Sequence, residues 1–123
     1  SNCVSFYKGV PVIRWSVNDR SGSFGVIFLD KNANETSLNH ERGHNTQLML
    51  LGPHNYLLRI FLPSALQLGN SSYYQKPWEI TADLFGGVER KGTTKSDKSK
   101  GIWYLIISAL FGPYAYWFLL GEI

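Results

Sequence analysis

Two histidines four residues apart restrict this chain more than any other feature: His40-Glu41-Arg42-Gly43-His44. On a helix they stand one turn apart on one face. Their imidazoles can then converge on one metal ion at ~2.0–2.1 Å. Glu41 is rotated by about 100° from His40, so it borders that point without having to ligate. The H-E-x-x-H spacing is the pattern in which a zinc ion is held while the glutamate serves as a general base. The chain must therefore build a helix here and bring a third ligand from elsewhere.

The "PWEITADLF" stretch offers that ligand. It places Glu79 and Asp83 four apart on a second helix, facing one way. A carboxylate from this helix completes a two-histidine, one-carboxylate site with an open fourth position. Asp83 can then accept the spare ring N–H of a ligand histidine, which fixes its tautomer. An extended motif with a third histidine would need it at position 50, where Leu50 stands. His54 lies past the "GP" stop and off the ligand face, as a polar loop residue that can still touch substrate. Gly43 inside the motif costs ~1 kcal/mol relative to alanine. Close approach of another backbone, a strand or the second ligand helix, would account for it. Arg42 points away from the ligand face and is expected in solvent.

Local signals place these residues. "VPVIRWS" at 10–16 and "FGVIFLD" at 24–30 read as strands joined by turn chemistry at 18–23, together a hairpin. Asn34 is a good N-cap and Glu35 suits the positive end of the dipole, so a helix runs from there to Leu51. "GP" at 52–53 stops it. A second helical stretch follows, kinked or split by Pro63. Residues 70–76 read as a loop, and Pro77 starts a short helix that ends at Gly86-Gly87. Trp78 is expected to pack in the core. Residues 89–101 read as a mobile, solvated Lys-rich loop.

The chain ends in nineteen uncharged residues, 102–120. As one helix they would span ~28 Å, near the thickness of a bilayer's hydrocarbon core, with Trp103, Tyr104, Tyr116 and Trp117 towards the ends. Gly112-Pro113 divides the stretch, which favours two short helices folded into an apolar hairpin that supplies core to a small domain. A membrane segment at 102–120 is the alternative.

Composition bounds the rest. The 123 residues suit a single domain, 1–123, and 44% hydrophobic with 17% charged residues is a globular balance. A net charge of +3 is too small to indicate nucleic acid. Cys3 is the only cysteine, which excludes an intrachain disulfide and a thiolate zinc site. The first ten residues lack the apolar run of a signal peptide.

His40-Glu41-Arg42-Gly43-His44 followed by Glu79-Ile80-Thr81-Ala82-Asp83 resembles the gluzincin class of zinc peptidases. The longer run from "GVIFLD" through "NETSLNHERGHNTQLMLLGP" to "YYQKPWEITADLFGGVER", roughly residues 24–123, looks like the C-terminal domains of bacterial Rhs-repeat and polymorphic-toxin proteins. The resemblance implies that His40, His44 and Glu79 bind zinc, that Glu41 is the general base, and that Asp83 orients His40. It implies a peptide or protein substrate lying along the strand before the active helix, here "FGVIFLD", as an edge strand. It also implies a larger bacterial protein that is exported or delivered with this segment at its C-terminal end. Gluzincins usually add a downstream histidine or tyrosine for the oxyanion. No histidine follows His54, which leaves Tyr73, Tyr74 and Tyr104.

The expected architecture is thus α+β and zincin-like: a β-hairpin or small sheet, an active-site helix, a second ligand helix and an apolar C-terminal helical hairpin. A second expectation comes from another class, a non-catalytic module stabilised by zinc that inserts into membranes or binds a partner. Glu41 separates the two, because only the peptidase needs it.

Overall fold

The computed structural model describes residues 3–15, 21–30, 32–69 and 71–120, with the side chains of all but 3, 4 and 111–120. Part of the turn read at 18–23, and the aromatic rings of Tyr116 and Trp117, lie outside the described residues. The fold is α+β, a small N-terminal sheet followed by helices.

The sheet has four strands in the order β1-β2-β4-β3. Strands β1 (Cys3–Tyr7) and β2 (Val10–Arg14) form an antiparallel hairpin. Lys8 and Gly9 between them have φ of 50° and 82°. Two successive left-handed residues make the turn whose twist suits a two-residue hairpin. Strand β4 (Ile27–Leu29) pairs with β2 in parallel, and β3 (Gly22–Ser23) pairs with β4 antiparallel. The strands at 10–16 and 24–30 are therefore neighbours but not a hairpin, which corrects the expectation. Parallel neighbours require a crossover. The antiparallel place beside β4 is taken by β3, which returns through Phe24–Val26, closed by Phe24 N–H to Val26 O at 3.1 Å. Val12, Ile27 and Leu29 are buried on one face of the sheet, against Leu38 of the first helix.

That helix, α1 (Glu35–Leu51), begins and ends where its sequence says. The Asn34 side chain accepts the Ser37 N–H at 3.1 Å. Gly52, at φ 83°, donates its N–H back to Leu48. After it α2 (Pro53–Tyr56), a π-helical turn (Leu57–Phe61) and α3 (Leu62–Leu66) follow without interruption. Pro63 does not split this rod. Leu62 N–H reaches back to Leu57 O, five residues earlier. Such a π-turn shifts the hydrogen-bond frame just before the residue that has no donor to give. A 3₁₀ turn (Tyr73–Gln75) leads into α4 (Pro77–Gly86), which ends on Gly87 in the left-handed region.

The last helix, α5 (Lys95–Leu120), corrects two expectations. Its first turns occupy half of the stretch read as a loop at 89–101. Thr94 and Asp97 exchange hydrogen bonds at 3.0 and 3.1 Å, a capping box that overrides the polar composition. And α5 runs through Gly112-Pro113 as one helix, so there is no C-terminal helical hairpin. One proline removes a single intrahelical hydrogen bond. Two residues between helix-forming segments are at the short limit for reversing the chain. Among the described residues, no helix is long and apolar enough to cross a membrane.

Helix α4 packs between α1 and α5. At the α1 crossing, a Cβ on Gly43 would lie 1.8 Å from Ala82 O, and one on Gly86 would lie 2.0 Å from Asn39 O. The two backbones touch, and only glycine permits it. The glycine inside the histidine motif makes room for the close approach of α4. A further apolar cluster, Leu51, Tyr56 and Ile60 with Trp78, Tyr104 and Leu105, lies beneath α5.

Candidate metal centre

The close crossing brings the polar faces of α1 and α4 together. His40 and His44 are 3% and 4% exposed, and Glu79 is fully buried. One carboxylate oxygen, Glu79 Oε1, lies 2.9 Å from His40 Nε2 and 3.0 Å from His44 Nε2. The candidate ligand atoms of these three residues all lie within 4.8 Å of one another. Glu79 Oε2 is buried with no hydrogen-bond partner among the described residues.

The outer ring nitrogens fix the tautomers. His40 Nδ1 lies 2.5 Å from Asp83 Oδ1. Asp83 is itself clamped by Arg90, Nε to Oδ2 at 2.8 Å and Nη2 to Oδ1 at 3.0 Å. An ionised carboxylate only accepts, so His40 Nδ1 carries the hydrogen. His44 Nδ1 lies 2.7 Å from Gln47 Oε1. Gln47 Nε2 donates to Trp78 O at 2.8 Å and to Thr81 Oγ1 at 2.5 Å. Its oxygen therefore faces His44, and His44 Nδ1 also carries the hydrogen. Both Nε2 lone pairs then point at a carboxylate oxygen. An acceptor oxygen 2.9 and 3.0 Å from two acceptor nitrogens is repelled by them unless a proton or a cation lies between.

The titration behaviour has the same cause. Burial alone would lower His40, but the hydrogen bonds to Asp83 and Glu79 outweigh it and push it up to about 10. Burial likewise opposes His44, whose pKa is raised by Glu79. Burial would raise Glu79, yet the two imidazoles hold it well below the ordinary carboxylate range. Asp83 follows the same pattern, with His40 and Arg90 overcoming its burial. The cluster is built to hold positive charge at the point where the three ligand atoms meet. A divalent cation that takes nitrogen and oxygen ligands fits that donor set.

Glu41 stands beside this point. It is 7% exposed, and its Oε1 is buried with no hydrogen-bond partner among the described residues. Burial raises its pKa, against the lowering effect of His44 and His40. It borders two clefts. One, about 400 Å³, is lined by His40, Tyr74, Arg90 and the polar Ser21, Asp30 and Ser37. The other, about 230 Å³, is lined by His44, Trp15, Tyr56, Phe61 and Leu68. Tyr73 lines both.

The remaining expectations sort by position. Tyr74 meets the His40 ring edge-on at 5.4 Å, and the Arg90 guanidinium lies 3.6 Å over the Tyr74 ring. The Tyr73 hydroxyl shares a hydrogen bond with Ser64 at 2.7 Å. His54 is exposed on α2 and lines neither cleft. Tyr104 belongs to α5, where its hydroxyl donates to Arg59 O. Arg42, expected in solvent, reaches across to Phe85 O. The strand expected at the sheet edge, β4, is interior, because β3 covers it. The edge beside the apolar cleft is Ser21–Ser23.

Sequence reasoning missed Gln47 and Arg90. Gln47 sits three residues after His44 and seven after His40, on the same helix face, so its spacing was a usable signal. Arg90 had none. It returns to Asp83 because Gly87 turns the chain back over the end of α4. No family model matches this sequence, and neither a curated protein nor a solved structure matches it.

Proposed function

We propose that this chain is a zinc-dependent peptidase that uses Glu41 as its general base. The observation that carries the reading is the convergence of His40 Nε2, His44 Nε2 and Glu79 Oε1 from two helices, beside the buried Glu41 carboxylate, whose Oε1 has no hydrogen-bond partner among the described residues. The three residues would hold zinc, with Asp83 and Gln47 fixing the imidazoles. When bound, zinc supplies Lewis acidity, polarising a carbonyl and acidifying water. Glu41 accepts the proton of the attacking water and passes it to the leaving amine. Its burial raises its pKa above that of an ordinary carboxyl, against the lowering effect of His44 and His40. The two clefts that meet at Glu41 give an extended peptide a polar and an apolar side. Tyr73 and Tyr74 are the donors nearest to hand for a developing oxyanion. On the resemblance described above, the domain would be the delivered C-terminal effector part of a larger bacterial protein.

Elemental analysis tests the reading. Wild type should carry one zinc per chain, since a single cluster of ligands is present among the described residues. Glu79→Ala should lose it. Glu41→Gln should keep it and lose hydrolysis of a peptide library by ~10²–10⁴-fold. Wild type without zinc after reconstitution would overturn the proposal. Zinc kept and hydrolysis unchanged in Glu41→Gln would remove the role assigned to that residue.

A further inference from the structure

Helix α5 is built the wrong way round for a surface helix. Its inner side carries Gly101 against Ile80, Tyr104 and Leu105 on the apolar cluster, and Ser108, whose carbonyl accepts from Asn55. Its outer side presents Ile102, Trp103, Ile106, Ile107 and Leu110 to solvent, with Trp103 60% and Leu110 55% exposed. Soluble proteins rarely leave a contiguous apolar face uncovered. The sequence has no charge from 102 to 120.

What precedes this face identifies its occupant. Lys91, Lys95, Lys98 and Lys100 are all exposed at the N-terminal end of the helix. The only acid among residues 91–100 is Asp97, which is closed into the cap with Thr94. Four lysines against one aspartate leave +3 there. A cationic collar beside an uninterrupted apolar face matches the layering of an anionic bilayer, with headgroups at the collar and hydrocarbon beyond it. Trp103 falls between the two, where an indole prefers to sit.

We propose that the outer face of α5 docks this chain on an anionic lipid surface, with Lys91–Lys100 at the headgroups and Ile102–Leu110 in the apolar layer. The docking does not depend on the metal centre, whose residues lie on the other side of α4.

Vesicle flotation tests it on the full chain, with phosphatidylcholine alone and with phosphatidylglycerol added. Wild type should float with the anionic vesicles and be released by salt. Lys95→Gln with Lys98→Gln and Lys100→Gln should weaken this by ~10²-fold, at about fivefold per lysine. Ile106→Ser with Ile107→Ser should abolish it while circular dichroism keeps its helical signal. Equal binding to neutral and anionic vesicles would overturn the proposal, as would binding untouched by both sets of substitutions. So would lipid-free self-association abolished by Ile106→Ser with Ile107→Ser, because the face would then belong to a second copy. Should a variant fail to fold, nitroxide-labelled lipid read against wild type decides. Quenching that disappears in Trp103→Phe supports docking, and no quenching overturns it.

Discussion

The seam between α1 and α4 and the outer face of α5 are opposites. The seam buries His40, Glu41, His44, Gln47, Glu79, Thr81 and Asp83. The face exposes Ile102, Trp103, Ile106, Ile107 and Leu110. Burying a charged group without full compensation costs several kcal/mol, and leaving an apolar face in water forgoes the main driving force of folding. Each region is proposed to take something from outside the chain, a cation in one case and a lipid surface in the other. The difference lies in rigidity. The seam is held by backbone contact and a closed hydrogen-bond chain, while the outer side of α5 is exposed among the described residues. Site chemistry needs the first kind of surface.

Glycine substitution should separate the two regions most strongly. In Gly43→Ala the new methyl would lie 1.8 Å from Ala82 O and 2.6 Å from its carbonyl carbon. Overpacking usually costs 1–3 kcal/mol, and a backbone neighbour cannot rotate aside, so the effect should reach about 3 kcal/mol or more. The gain in helix propensity, ~1 kcal/mol, does not offset it. Gly101→Ala would meet Ile80 Cγ2 at 3.0 Å and the Pro77 carbonyl oxygen at 3.3 Å, a far smaller overlap that the gain in propensity partly offsets, so its net cost should be small beside that of Gly43→Ala. Thermal unfolding should drop sharply for the first and little for the second. Equal drops would mean that the seam is no tighter than the packing of α5.

Gln47→Ala should act next. The residue is fully buried, and its loss strips partners from His44 Nδ1, Trp78 O and Thr81 Oγ1. Removing such a support typically weakens metal affinity 10–100-fold. Chelator competition on Gln47→Ala and on Ile107→Ser reads the contrast directly. Only the first should move, and a shift in the second would couple the α5 face to the centre.

The two helices of the seam and four of its polar residues were legible in the sequence because they have local causes, whereas Gln47 was passed over and Arg90 is brought in only by the turn at Gly87. Asn34 and Gly52-Pro53 bound α1, Pro77 and Gly87 bound α4, and helical spacing puts His40 with His44 and Glu79 with Asp83. Strand pairing was not legible. A hairpin and a crossover use the same strand residues, and the turn that mattered was Lys8-Gly9, inside a stretch too short to draw notice. β3 is two residues long and carries no pattern. The uninterrupted course of α5 was hidden by Gly112-Pro113, and its start by lysines that look like loop until Thr94 and Asp97 are read as a cap.

That cap gives the smallest of these effects. Thr94→Ala should cost about 1 kcal/mol. It removes the acceptor for Asp97 N–H and leaves the packing of Gly101 on Ile80 untouched. The Asp97 carboxylate is held below its ordinary value of 3.8 first by the Thr94 backbone N–H and then by the Thr94 side chain. A lowered pKa in the folded chain means that the contribution is present above that ordinary value. It fades as the pH falls through the folded one. Asp97→Asn should therefore lower the stability of the first α5 turn slightly at neutral pH and flatten its acid limb, the variant and wild type converging at low pH. Circular dichroism across an acid series would read it. If the cap governs only the first turn, the metal centre keeps its affinity at neutral pH while the lysine collar loosens. Loss of metal in Thr94→Ala would instead mean that α5 holds α4 in place, and that the two regions are one mechanical unit.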